Sequence, residues 1–150
     1  MMELDVFPEN LRKQACEVGQ VLKMKMYPED GITPKKGNFK EKRFVIIGKS
    51  ESSLSLAALI VNSEINANFF AKIGHFQHKI YHQDYDFLEH DSYIDGYALF
   101  EFPISRVIEN ATYLGRISMR DLQESIDRLL ESKVIKGYLQ ERYGLTHSNL

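Results

Sequence analysis

Residues 42–66 read KRFVIIGKSESSLSLAALIVNSEIN, and this stretch decides the fold class. Phe44, Val45, Ile46 and Ile47 form a short apolar run rich in β-branched residues, closed by Gly48. A polar Ser-Glu-Ser-Ser segment follows, and Leu54 to Val61 supplies a second apolar run that ends at Asn62 and Ser63. Two runs of strand length around a short Gly- and Ser-bearing loop predict an antiparallel hairpin in the core of a sheet.

Working outward, residues 20–26 place Leu22, Met24 and Met26 on one face and Lys23 and Lys25 on the other, the alternation of a half-buried strand. Before it, Phe7-Pro8, Leu11, Ala15 and Val18 are spaced for a short N-terminal helix, with Pro8 in its first turn. Residues 27–41 carry Pro28, Gly31, Pro34 and Gly37 and read as a loop, long against the usual median of ~4–6 residues. Beyond the hairpin, 66–74 reads as a connector. Residues 75–82 read as a strand with Phe76, His78, Ile80 and His82 on one face, and 83–91 as an acidic loop. Short extended pieces follow at Tyr93-Ile94-Asp95, 99–102 and 106–110, and 113–116 turns into a helix. That helix opens at Ser118 with a capping-box-like Ser-Met-Arg-Asp. Leu122, Ile126, Leu129 and Leu130 form its apolar stripe, while Asp121, Glu124, Asp127 and Glu131 are predicted to face water. A second short helix is expected over 134–143 and a frayed end over 147–150.

A chain of 150 residues with 43% apolar and 27% charged residues fits one globular domain. No apolar run approaches the ~20 residues of a membrane-spanning helix. The start, MMELDVFPEN, lacks a basic region followed by an apolar one, so a cytoplasmic address is expected. The lone Cys16 supplies neither an internal disulfide nor a zinc site by itself. The net charge of −2 conceals an asymmetry: residues 23–43 carry +4 and the remainder −6. No Lys or Arg occurs between Lys79 and Arg106, where Asp84, Asp86, Glu89, Asp91, Asp95 and Glu101 all lie. The basic loop is either a phosphate-facing surface or a solvated loop that balances the acidic segment.

Four pieces, in order, resemble the MazF/PemK family of bacterial toxin ribonucleases (the Kid/CcdB superfamily). They are Gly19-Gln20-Val21-Leu22, residues 42–47 after a basic glycine-bearing loop, Leu59-Ile60-Val61-Asn62-Ser63, and the strand-turn-helix pattern of 104–130. Together they span about two thirds of the chain. The resemblance implies a mainly β fold with flanking helices: a small SH3-like β-barrel over 19–117, with an acidic insertion at 69–92. The barrel would be preceded by a helical extension at 1–18 and closed by C-terminal helices at 118–143. It further implies a homodimer, a protein antitoxin as partner, and cleavage of single-stranded RNA without metal or other cofactor. Arg43 would take the family's catalytic arginine position and Ser63 its Thr/Ser position. Lys35, Lys36, Lys40 and Lys42 would hold the RNA backbone, with Phe39 stacking on a base. Phe44 stands where the family has proline, and Gln20 where it has aspartate.

Other readings remain open. Arg43 is also an ordinary strand-start arginine, and Ser63 an ordinary turn residue. His75, His78 and His82, followed by Asp84, Asp86, His90 and Asp91, show no recognised ligand spacing, and no metal site is expected from them. Besides the endoribonuclease, a non-catalytic barrel binding a protein or nucleic acid, and a regulatory partner without either activity, fit the same sequence.

Overall fold

The computed structural model describes residues 16–64 and 73–148. Among the described residues seven strands form one antiparallel sheet curled into a half-barrel: β1 (Gln20–Met26), β2 (Lys40–Lys49), β3 (Ser55–Asn62), β4 (Gln77–Ile80), β5 (Ser92–Asp95), β6 (Phe100–Pro103) and β7 (Thr112–Arg116). Among the described residues three α-helices of six residues or more accompany them: α1 (Ile104–Asn110), α2 (Met119–Ser132) and α3 (Gly137–Arg142). The spatial order is β4-β5-β3-β2-β1-β7, with β6 also paired to β3. Strand β3 therefore shares its outer edge, giving Ser55–Ala58 to β6 and Val61–Asn62 to β5. The expected class, mainly β with flanking helices, holds at this level.

The predicted hairpin is the centre of the sheet, with Phe44 opposite Ile60, Val45 opposite Leu59 and Ile46 opposite Ala58. Both of its faces are covered, which explains continuous apolar runs in place of alternation. Val45, Ile47, Leu59 and Val61 pack under α2 with Leu122, Ile126 and Leu129. Phe44, Ile46, Ala58 and Ile60 pack on the opposite face with Met24, Met26, Phe102, Ile104 and Val107. Hydrophobic burial on two sides of one hairpin is the dominant stabilising term.

Several expectations are corrected. Residues 106–110, expected as a strand, lie in helix α1. Ile104 and Val107 are buried three apart with Ile108 beside them, and Pro103 precedes the first turn in extended conformation. The β-branched residues that suggested a strand serve a helical face. Residues 113–116, expected as a turn, are strand β7, which pairs with β1 from Gln20–Arg116 to Lys23–Thr112 through a bulge. The 75–82 strand is shorter, Gln77–Ile80, with single 3-10 turns on either side. The helix expected over 1–18 lies outside the described residues except for 16–18, which are not helical; most of the 66–74 connector lies outside them too. Residues 147 and 148, expected to fray, are tied to α2: the Ser148 N–H and hydroxyl both donate to Asp127.

The acidic loop between β4 and β5 is anchored at three points. Leu88 is buried in the core, Phe87 packs against Gly115, and Tyr85 reaches α2. A Cβ on Gly115 would stand 2.5 Å from the Phe87 ring, so this close approach requires glycine.

Candidate functional site

Strand register brings Arg43 and Ser63 to one end of the hairpin. Arg43 lies opposite Val61, two residues before Ser63. The open end of β2–β3, closed on one side by residues 89–92, forms a cleft of about 320 Å³. Arg43, Ser63, Lys40 and Lys42 all line it, together with Glu41, Glu64, Glu89 and His90. Three cations thus face three carboxylates, and the cleft is charge-balanced, not basic.

The two cationic groups at its centre are held differently. Arg43 is half-buried, and its guanidinium donates to the Phe87 carbonyl at 3.4 Å, which leaves its positive charge without an ion pair among the described residues. Lys42 is half-buried on the neighbouring position and donates to Asn62 Oδ1 at 2.8 Å. Burial, and then the charge of Lys40, push the Lys42 ammonium below the ordinary lysine range against the pull of Asp95. Ser63 is exposed at the rim.

The remaining residues expected at the site lie elsewhere. Lys35, Lys36 and Phe39 sit on the exposed 31–39 loop and do not line the cleft. Lys25 Nζ stands 4.6 Å from the centre of the Phe39 ring, and Tyr27 tilts against that ring at 6.2 Å. A stacking base would compete with Lys25 for one ring face. The base of this loop is pinned by a bidentate pair, Arg106 donating to Asp30 at 2.6 and 2.7 Å, which holds the Asp30 carboxyl below its usual range. Sequence reasoning missed Glu64, Glu89 and His90 as cleft residues. Their only signal is proximity to Ser63 and to the start of β5.

A second polar cluster lies under the start of α2, bordering a cavity of about 570 Å³. His78 is buried on β4, its Nε2 2.8 Å from Asp121 Oδ1 and its Nδ1 3.3 Å from Glu124 Oε2. Tyr85 donates its hydroxyl to Asp121 Oδ2, and the Ser118 N–H donates to the Tyr85 oxygen at 2.9 Å. Ser118 Oγ accepts from the Asp121 N–H at 3.1 Å, the cap expected from the sequence. Asp121, expected to face water, is therefore an internal junction. Burial would raise its carboxyl, but hydrogen bonds from Tyr85 and His78 outweigh burial and hold it below the usual range. His75 and His82 are exposed and take no part in this cluster.

One loop joins the two places. Phe87 supplies the carbonyl that holds Arg43, while Tyr85, its ring 5.4 Å from that of Phe87, holds Asp121. No protein-family model matches this chain, and no curated protein matches it.

Proposed function

We propose that this protein is a toxin-like, metal-independent endoribonuclease that cleaves single-stranded RNA in the cleft between the start of β2 and the end of β3, on an SH3-like barrel of the MazF/PemK kind. The observation that carries the reading is the meeting of Arg43, Lys40, Lys42 and Ser63 in one cavity, with the Arg43 charge free of a carboxylate partner among the described residues. Cleavage of RNA by its own 2′-hydroxyl asks for three things: in-line alignment, transfer of two protons, and stabilisation of charge on the phosphorane. A planar guanidinium grips two phosphate oxygens at once. Ser63 donates to a third oxygen, and the lysines hold the flanking phosphates. His90 and the carboxylates Glu41, Glu64 and Glu89 are groups in the cleft able to take the 2′-hydroxyl proton or return one to the departing 5′-oxygen. The P–O5′ bond breaks as the 2′-oxygen bonds to phosphorus, giving a cyclic phosphate and a free 5′-hydroxyl. A homodimer and a protein antitoxin complete the proposal.

The test is incubation of the chain with mixed-sequence single-stranded RNA in excess EDTA. Cleavage products ending in cyclic phosphate, lost in Arg43→Ala, support the reading; undiminished cleavage in that variant overturns the mechanism. A second reading, a non-catalytic barrel that binds a protein or nucleic-acid partner, is favoured by the balance of Glu41, Glu64 and Glu89 against the three cations. It predicts salt-sensitive binding without turnover.

A further inference from the structure

We propose that His78, Asp121 and Glu124 form a binding site for a divalent transition-metal ion of the Zn2+ class, separate from the RNA cleft. One potential ligand atom from each residue lies within 4.8 Å of the other two. Asp121 and Glu124 are three apart on α2 and so share one helix face, which β4 meets with His78.

The imidazole itself argues for a cation. Two carboxylate oxygens crowd the one ring: His78 Nε2 is hydrogen-bonded to Asp121 Oδ1 at 2.8 Å, and Nδ1 lies 3.3 Å from Glu124 Oε2. A cation among the ring and the two carboxylates makes all three approaches favourable. His78 is 8% exposed and Asp121 20%, while Glu124 is 42% exposed and opens onto the 570 Å³ cavity. The cavity gives an ion its access route and gives water the remaining coordination positions. One imidazole and two carboxylates match the charge of a dication and the nitrogen and oxygen donors that zinc accepts.

Outer contacts orient the ligands as metal sites require. Tyr85 fixes Asp121 Oδ2, leaving Oδ1 toward the ring, and the Ser125 hydroxyl donates to the Asp121 carbonyl at 2.7 Å. The opposing charges are Arg120, Arg128 and Lys79, which line the same cavity; Arg120, 3.5 Å from Glu124, is largely in solvent and can swing away.

The experiment is calorimetric titration of ZnCl2 into the full, untagged chain after treatment with chelator, repeated with CoCl2 and followed by visible absorption. One equivalent per chain is expected. Glu124→Gln, on the exposed helix face, should keep the fold by circular dichroism and weaken binding at least ~10-fold. Glu131→Gln, which removes the partner of His75 and His147, should leave binding unchanged. Absence of saturable one-equivalent binding, or equal affinity in Glu124→Gln, overturns the proposal. RNA cleavage in EDTA is scored separately, so either reading can fail without the other.

Discussion

The two cavities on either side of the acidic loop handle their polar groups in opposite ways. Under α2, the groups of the cluster are paired inside the protein: His78 with two carboxylates, Asp121 with Tyr85, Ser118 with Tyr85. In the hairpin cleft, Arg43 rests on a carbonyl and Lys42 on an amide oxygen, so both keep their charge for something else. Groups satisfied internally contribute to the fold, and charges left uncompensated at a concave surface are available to a ligand. The difference predicts that mutations in the cleft change RNA cleavage with little effect on stability, while mutations under α2 change stability or, at the proposed ligand positions, ion binding.

The sharpest break of that contrast is Arg43→Ala. Removing a guanidinium that meets the phosphorane should slow RNA cleavage by about 10²–10³-fold. The same variant should move the folding free energy by no more than about 0.5 kcal/mol, because it abandons one long hydrogen bond. Urea denaturation beside the cleavage assay measures both. A large loss of stability would make Arg43 a structural strand residue and dissolve the contrast.

Gly96→Ala probes the opposite region. A Cβ there would meet the Phe76 carbonyl at 2.5 Å and the α2 backbone at Leu129 N, 3.0 Å away, and neither can yield as a flexible side chain would. Helix α2 must shift off the sheet, at an expected cost of about 2 kcal/mol in urea unfolding. Tyr85→Phe is gentler. It deletes the donor to Asp121 Oδ2 and the acceptor for the Ser118 N–H, and should cost about 1 kcal/mol. Because Tyr85 and Phe87 share the loop, amide hydrogen exchange at residues 85–90 should rise in this variant. Unchanged exchange there would show that Leu88 and Phe87 alone anchor the loop.

The same contrast explains what could be read from the sequence. The hairpin was legible because burial on two faces leaves unbroken apolar runs around a polar loop. The α2 start was legible because Ser118 caps locally, three residues from its donor. Arg43 and Ser63 met in one cleft because antiparallel register follows directly from that hairpin. The His78 cluster was not legible: its partner Asp121 lies 43 residues away, and an acid at an N-terminal turn looks like an ordinary dipole-complementing group. Helix α1 was hidden for a different reason, since Val107 and Ile108 suit strands by propensity while tertiary burial three residues from Ile104 decides for helix. The resemblance puts Lys35, Lys36 and Phe39 on the RNA beside Arg43, but the loop carries them past the cleft.

The smallest expected effect is a pH dependence, and its sign follows from Lys42. In the free protein, burial and Lys40 hold its ammonium below the ordinary lysine range. A phosphate in the cleft adds negative charge beside it and raises the pKa in the complex. Binding then takes up a proton wherever the pH lies between the two values, so RNA affinity is full below the free-protein pKa and declines as pH rises through it. Lys40→Met removes the like charge and should move that decline to higher pH; Lys42→Met should abolish it while weakening binding at every pH. Fluorescence anisotropy with a labelled RNA at several pH values reads these shifts. A decline that persists in Lys42→Met would assign the titration to another group in the cleft, and would place the phosphate away from Lys42.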